Sequence, residues 1–266
     1  NLKTEATIKN GSMVVGRDKE IRTMLECLER SENKAIMIMG DSGIGKTSII
    51  NAFVKEICYN KDEMLQQVSV VGMNTAKLLA GTSSENEISQ KTVALIHKLK
   101  QIEQVVLVID DLQVLLENGN AGKSTTLINI LNAQIGEGAC NLIFTITKDA
   151  YRKHIEKQSI ESKLVIINAE ELDYSTLLCA LHLHKKEIES HYGLEISEDC
   201  IPNVIQLSRR YFKERSLPSA AIDLLDRTSA AVRLCNKNAR NTIENIRAEF
   251  ELLQENTEET IQNSDL

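Results

Sequence analysis

The segment after the first long apolar run reads Gly40-Asp41-Ser42-Gly43-Ile44-Gly45-Lys46-Thr47 and satisfies every fixed position of the pattern GxxxxGK[ST]. Residues 35–39 before it are uninterruptedly apolar, which predicts a buried strand, and a helix is predicted over 46–58. A glycine-rich loop between a strand and a helix can wrap phosphate oxygens with its backbone N–H groups. Because motif and context agree, a chance glycine-rich turn is the weaker interpretation.

The side chains of this loop indicate a nucleoside triphosphate as the ligand. Lys46 is expected to reach the β and γ phosphates, and the Thr47 hydroxyl is expected to ligate Mg²⁺. A second apolar run, residues 105–109, ends in Asp110 and Asp111. In a chain with such a loop, the first acid of this pair holds the magnesium ion through its water shell. The second, Asp111, is then the expected base that orients or deprotonates the attacking water.

Strand and helix patterns alternate on both sides of the loop. Further strands are predicted at 68–72, 104–109, 140–146 and 164–168, with helices at 18–30, 87–101, 121–134 and 148–157. This alternation predicts an α/β fold with a parallel sheet flanked by helices. After about residue 170 only helical patterns remain, at 172–191, 197–211 and 218–235. We therefore expect an αβ nucleotide-binding subdomain over 1–170 and an all-helical subdomain over 171–235. Residues 236–266 should form an exposed helix.

Composition narrows the environment and the partners. The net charge of −7 opposes nucleic-acid binding through phosphate contacts, and no apolar run approaches the roughly 18 residues that span a bilayer. The six cysteines are far apart, and the pair His182 and His184 points to different sides of a helix, which does not favour a metal site. We expect a cytoplasmic protein that contacts neither nucleic acid nor membrane.

Several segments beyond the two motifs resemble the Clp-type AAA+ unfoldases. Residues 14–21 (VVGRDKEI) resemble the family's "VIGRDxEI", and 79–82 (LAGT) are similar to the "LVAGT" that precedes its pore loop. Residues 149–157 resemble "DEYRxxIEKD", and 217–226 (LPSAAIDLLD) resemble "LPDKAIDLID" of its helical lid. The similarity extends in the same order over about residues 12–235, and the tail resembles the start of a coiled-coil middle domain.

The resemblance implies an AAA+ module with an αβ subdomain, a helical lid and ATP or ADP with Mg²⁺ between neighbouring subunits of a ring, typically a hexamer. It places Thr147 at the sensor 1 position, where a hydroxyl helps to place the lytic water. The implied nucleotide contacts come from both subdomains: Val14, Val15, Gly40, Asp41, Ser42, Gly43, Ile44, Gly45, Lys46, Thr47, Ser48 and Pro218. The implied metal contacts are Thr47 and Asp110. Client proteins or a partner protease would be further partners.

The chain departs from the family pattern at residues that couple nucleotide to work. The family's Asp-Glu pair is Asp110-Asp111 here, so the carboxylate of the expected base is held back by about 1.5 Å. Ser162 and Lys163 replace a pair of arginines, and lysine supplies only a point charge where an arginine finger gives a bidentate fork. Ser83 and its neighbours replace the aromatic pore loop, and Ala220 replaces a lid lysine.

These departures leave three hypotheses. The first is an ATP-binding, weakly hydrolysing Clp-like module that sets ring assembly or regulates a neighbouring module. The second is a fully active unfoldase in which Asp111 and Lys163 suffice for catalysis. The third is an AAA+ signalling or loader switch, which the acidic charge and the Clp-like lid sequence disfavour.

Overall fold

The computed structural model describes residues 14–30, 35–60, 62–75, 78, 85–99, 101–102, 104–117, 124–136 and 141–238. Five strands form the centre of the molecule: β1 (Ala35–Met39), β2 (Ser69–Met73), β3 (Val105–Ile109), β4 (Asn141–Ile146) and β5 (Leu164–Asn168). They make one parallel sheet in the order β2-β3-β4-β1-β5. The five predicted strands are therefore present, each within one residue of the predicted bounds, and the predicted parallel α/β fold is confirmed.

Seven helices accompany the sheet within the described part of the αβ region: α1 (Asp18–Leu28), α2 (Lys46–Tyr59), α3 (Glu63–Gln67), α4 (Glu85–Leu99), α5 (Leu112–Glu117), α6 (Ser124–Gly136) and α7 (Lys148–His154). A 3-10 turn (Glu161–Lys163) leads into β5. Three helices follow: α8 (Tyr174–Tyr192), α9 (Cys200–Tyr211) and α10, which residues 219–238 form.

Two predictions about helices differ from the structure. The helix predicted over 148–157 ends at His154, and Lys157 just beyond it has a left-handed backbone with φ 65°. A single left-handed residue cannot continue a right-handed helix, so the chain turns here toward β5. The short helices α3 and α5 were not predicted, because five or six residues show too little periodicity to be recognised. Most of the predicted tail helix, residues 239–266, lies outside the described residues.

Three hydrophobic clusters hold these layers together. One covers the sheet face that packs on α4 to α7, with Leu107 and Phe144 at its centre. A second covers the opposite face, where α1 and α2 bury Met24 and Phe53. Strands buried on both faces are continuously apolar, as β1 and β3 are. The third cluster lies among α8, α9 and α10 and contains residues 177–225 alone.

Candidate nucleotide-binding site

The loop from Gly40 to Gly45 lies at the carboxyl edge of the sheet, between β1 and α2. Gly43 and Gly45 have φ of 83° and 100°, a region that side chains with a Cβ rarely enter. Because Gly45 is the residue before α2, its left-handed backbone turns the chain directly into the first helical turn. The free N–H groups of that turn then face the loop interior, which gives the positive potential that an anion requires.

A cavity of about 340 Å³ opens beside this loop. Its wall combines the loop with the end of β3, the start of α7 and the helical region, and its residues include Lys46, Thr47, Asp111, Gln113, Thr147 and Ser219. Proteins with open α/β sheets bind their ligands in the crevice outside the carboxyl ends of the strands. The loop therefore borders a space that can hold a phosphate chain.

Lys46 extends along the inside of the loop. Its ammonium Nζ donates hydrogen bonds to the carbonyl oxygens of Gly40 at 2.9 Å and Asp41 at 3.1 Å, and the residue is 8% exposed. Burial lowers the pKa of Lys46, while the nearby carboxylates of Asp111, Asp110 and Asp41 oppose that shift. A partly desolvated ammonium gains strongly from a further negative group, so this position favours a polyanion.

The hydroxyl of Thr47 and the carboxylate of Asp110 lie side by side. Thr47 Oγ1 donates to Asp110 Oδ2 at 2.9 Å, although 63 residues separate them in the sequence. The other carboxylate oxygen, Oδ1, accepts from Thr145 Oγ1 at 2.5 Å. A hydroxyl next to a carboxylate at the edge of a phosphate cavity is an all-oxygen donor set, which fits Mg²⁺ with its remaining positions left to waters and phosphate oxygens.

No cluster of three or more His, Cys, Asp or Glu side chains suited to a metal occurs in the described ranges. A divalent ion at Thr47 and Asp110 would take its further ligands from waters and from the phosphates of a bound nucleotide, as Mg²⁺ commonly does.

Asp111 has an unusual backbone for an aspartate at the end of a strand. Its φ is 54°, its N–H donates to Thr145 Oγ1 at 2.7 Å, and its Oδ1 accepts from Gln113 Nε2 at 2.9 Å. Aspartate is among the few residues that tolerate this region. These bonds fix the carboxylate at the rim of the phosphate cavity, where it could accept a proton from water.

Thr147 lines the same cavity, at the N-cap of α7. Its Oγ1 accepts a hydrogen bond from the backbone N–H of Ala150 at 3.3 Å. The hydroxyl proton remains available to donate, because capping uses only an oxygen lone pair. Thr147 and Asp111 thus line one cavity.

A smaller cavity of about 140 Å³ continues from the phosphate cavity. Gly45, Ser48, His184 and Pro218 border both spaces. The wall of the smaller cavity is mainly apolar, with Val14, Val15, Ile44, Leu172, Ala180 and Pro218. A flat heterocyclic base suits such a wall, and the predicted contacts from Val14, Val15 and Pro218 lie together in it.

Arg17 connects this smaller cavity to the loop. Its guanidinium donates to the carbonyl oxygen of Ile44 through Nη2 at 2.9 Å and to Glu20 Oε1 through Nη1 at 2.9 Å. The residue is only 5% exposed. This buried bond ties the segment before α1 to the tip of the phosphate loop.

Lys163 lies far from these residues. It immediately precedes Leu164, which pairs with Ala35 at the start of β1, whereas the loop follows Met39. Five strand residues correspond to roughly 17 Å. Lys163 Nζ donates instead to the carbonyl oxygen of Asn132 in α6, at 3.0 Å. Within one chain, Lys163 is therefore not part of the site, and a role for it requires the nucleotide of another subunit.

Sequence reasoning missed several residues that the fold brings to the site, among them Arg17, Gln113, Thr145 and His184. Gln113 and Thr145 carry no motif signal, although both lie within two residues of predicted site residues. His184 lies in a helical pattern without a motif, and the fold places it at the border of both cavities. Of the predicted pore segment, residues 83–88, the first two lie outside the described residues and 85–88 belong to the start of α4.

The fold and this site define the class: a P-loop NTPase with a helical lid. Residues 7–177 match the family model described as Novel STAND NTPase 1, and residues 176–266 match the AAA lid domain. The ClpC ATP-binding subunit of the ATP-dependent Clp protease from Staphylococcus aureus is 31% identical over 247 residues, and the Staphylococcus epidermidis ClpC is equally similar. The aligned region is 91% of this chain and 30% of either relative.

Solved structures of yeast Hsp104 have the same fold. The Hsp104-ADP complex superposes with a TM-score of 0.82 at 24% identity, over 96% of this chain and 36% of Hsp104. A closed state of Hsp104 with ATPγS and FITC casein gives 0.76 at 26% identity, over 90% of this chain and 42% of Hsp104. The chain therefore belongs to the P-loop NTPase family that the Novel STAND NTPase 1 model describes, and its relatives identify it as a Clp-type AAA+ ATPase module. It spans about a third of the length of those relatives.

Across the described residues, no helix combines the length and the apolar character needed to cross a bilayer.

Proposed function

We propose that this chain is the ATP-binding module of a Clp-like chaperone or unfoldase, and that it hydrolyses ATP slowly. The observation that carries the proposal is that Lys46, Thr47 and Asp111 line one cavity at the carboxyl edge of the sheet, with Asp110 hydrogen-bonded to Thr47 beside it. Loop amides and the Lys46 ammonium would hold the β and γ phosphates, and the apolar cavity beside Val14, Val15 and Pro218 would hold the base.

Magnesium, when bound with the nucleotide, neutralises charge that develops on the transferred phosphoryl group. Thr47 and Asp110 would hold it. Asp111 would accept a proton from the attacking water, and the Thr147 hydroxyl would help to orient that water. Both groups border the cavity that receives the phosphates.

Slow hydrolysis is proposed on two grounds. The Asp111 carboxylate is one methylene shorter than that of a glutamate, and base catalysis contributes about 10² to 10⁴ in rate only when the base reaches its proton. The expected finger, Lys163, is a lysine already bonded within its own chain to Asn132. Nucleotide binding needs neither group, so we propose that nucleotide state regulates ring assembly or a neighbouring module.

Assembly into a ring, in the full-length protein a hexamer, is part of the same proposal. Lys163 lies at the sheet edge opposite the phosphate loop, so it can act only on a second subunit's nucleotide. Casein accompanies Hsp104 in two of the solved relatives. We propose that clients of this protein are likewise polypeptides, and that Mg²⁺ and ATP or ADP are its cofactors.

The proposed site is tested by measuring the affinity of the wild-type protein and of Lys46→Ala for fluorescent ATP. The exposed Lys153→Ala is the matched control, since it removes the same charge outside the cavity. We expect at least a tenfold weaker affinity for Lys46→Ala alone. Equal affinities in all three proteins would contradict the proposed site.

Steady-state phosphate release separates slow from full hydrolysis. A rate near that of active AAA+ rings, abolished by Asp111→Ala, would establish the fully active unfoldase and contradict the slow module.

A third function, a nucleotide-dependent signalling or loader switch, is supported by the STAND match over residues 7–177. It predicts ATP-dependent assembly without stimulation by unfolded polypeptide, whereas the Clp-like module should respond to casein.

A further inference from the structure

We infer that Thr145 is a positioning residue that holds both acids at the end of β3 in the geometry needed for the metal-bound nucleotide. The inference rests on the proposed function. It concerns a buried hydroxyl, 0% exposed, on a strand that carries no nucleotide motif.

The hydroxyl of Thr145 makes two bonds at once. It donates to Asp110 Oδ1 at 2.5 Å and accepts from the backbone N–H of Asp111 at 2.7 Å. A threonine hydroxyl has one proton and two lone pairs, so it can make both bonds simultaneously. No apolar side chain of similar shape can replace either one.

Each bond constrains a different acid. The bond to Oδ1 fixes the rotation of the Asp110 carboxylate. Oδ2 consequently points at the Thr47 hydroxyl and accepts a hydrogen bond from it at 2.9 Å. The second bond satisfies the backbone N–H of Asp111, which lies beyond Ile109, the last paired residue of β3. It thereby holds the Asp111 backbone at its φ of 54°. Thr145 therefore determines where the metal-directed acid and the expected base lie relative to each other.

A purely structural role makes a different prediction. If Thr145 only joined β3 to β4, its removal would lower stability and weaken nucleotide binding equally with and without Mg²⁺. If it orients Asp110, the loss falls on the Mg²⁺-dependent part of binding, because phosphate contacts from the loop amides and Lys46 do not involve Asp110.

The test compares Thr145→Val with Thr145→Ser in the full chain. Valine keeps the shape and removes both hydrogen bonds, whereas serine keeps the hydroxyl and removes only a methyl group. Fluorescent ADP affinity is measured in excess EDTA and across a Mg²⁺ titration, and thermal unfolding identifies variants that fail to fold. Thr145→Ala provides a smaller apolar replacement should valine not fold.

We expect the Mg²⁺ concentration for half-maximal enhancement of binding to rise at least tenfold in Thr145→Val, with affinity in EDTA within about twofold of wild type. Thr145→Ser should restore the wild-type titration. Unchanged Mg²⁺ dependence in Thr145→Val, or equal losses in Val and Ser, would overturn the inference. A wild-type chain that bound no nucleotide would overturn the proposed function itself, and a loss in Lys46→Ala without one in Thr145→Val would overturn only the role of Thr145.

Discussion

The backbone N–H of Ser216, in the helical subdomain, donates a hydrogen bond to the carbonyl oxygen of Ser42 in the phosphate loop at 2.8 Å. A second bond runs from the Ser219 N–H to the carbonyl oxygen of Gly43 at 3.3 Å. Main-chain bonds of this kind couple the lid to the loop directly, without an intervening side chain. The position of the lid and the conformation of the loop therefore depend on each other through these two bonds.

The contact leads to a prediction for Gly43. A Cβ at this position would come within 3.0 Å of Ser219 Cβ and 3.1 Å of the Ser216 carbonyl oxygen, and φ is 83°. We expect Gly43→Ala to weaken nucleotide binding at least tenfold, as measured with fluorescent ADP. Gly193→Ala is the matched control, because Gly193 also has positive φ, 64°, but has nothing within 4 Å of the added carbon. Both should lose about 1 kcal/mol of stability from the backbone alone, and an equal effect on binding would refute the lid contact.

Asp111 allows a prediction about catalysis. Asparagine has the same length, tolerates positive φ and can still accept from Gln113, but it cannot take up a proton from water. We expect Asp111→Asn to reduce kcat about 100-fold or more with unchanged nucleotide affinity. Asp111→Glu, which extends the carboxylate, should raise kcat above wild type. Phosphate release under saturating ATP measures both, and wild-type turnover in Asp111→Asn would exclude this carboxylate as the base.

Lys163 should affect stability and assembly separately. Removing its bond to the Asn132 carbonyl in Lys163→Met should cost about 1 kcal/mol in urea unfolding, while leaving ADP affinity unchanged. If the ammonium also serves a neighbouring site, ATPase activity per chain will increase with protein concentration in wild type and not in the variant. A concentration-independent rate in both proteins would argue against any action across subunits.

The stability that Asp173 contributes at the start of α8 should depend on pH. Hydrogen bonds from the Thr176 N–H and from the Ser175 and Thr176 hydroxyls lower the pKa of Asp173 to about 2. Because the folded pKa lies below the unfolded value, the carboxylate stabilises the fold fully above about pH 4, and this contribution is lost as pH falls toward 2. Asn at this position can still cap the helix without titrating.

The thermal midpoint of Asp173→Asn should therefore lie below that of wild type near neutral pH, and the difference should shrink as the solution is acidified. A difference that stayed constant from neutral pH down to about pH 3 would show that the charge of Asp173 contributes nothing. This end of α8 also packs closely against Gly16, since a Cβ at Gly16 would lie only 2.2 Å from Thr176 Cγ2. Gly16 belongs to the segment that lines the smaller cavity with Val15 and Arg17. The cap thus supports the packing of α8 beside the smaller cavity, which Ala180 and His184 of this helix border.

The sequence by itself determined the parallel sheet and the phosphate loop. Strands buried on both faces are apolar throughout, and a loop that wraps phosphate needs glycines at fixed spacing. Both features can therefore be recognised from residues that are close together in the sequence. The same holds for Asp110 and Asp111, which end such a strand. The helices were found where their apolar period was long, and missed in α3 and α5, where it was not.

Only the tertiary structure decided which side chains meet. Thr145 and Asp110, or Arg17 and Ile44, are far apart along the chain, and no spacing relates them. In the sequence His184 is one of two histidines in a helical pattern, and only the packing of the lid places it at the border of both cavities. Hydrogen bonds and cavity walls depend on the packing of distant segments, whereas periodicity reports only the neighbours of a residue within its own helix or strand.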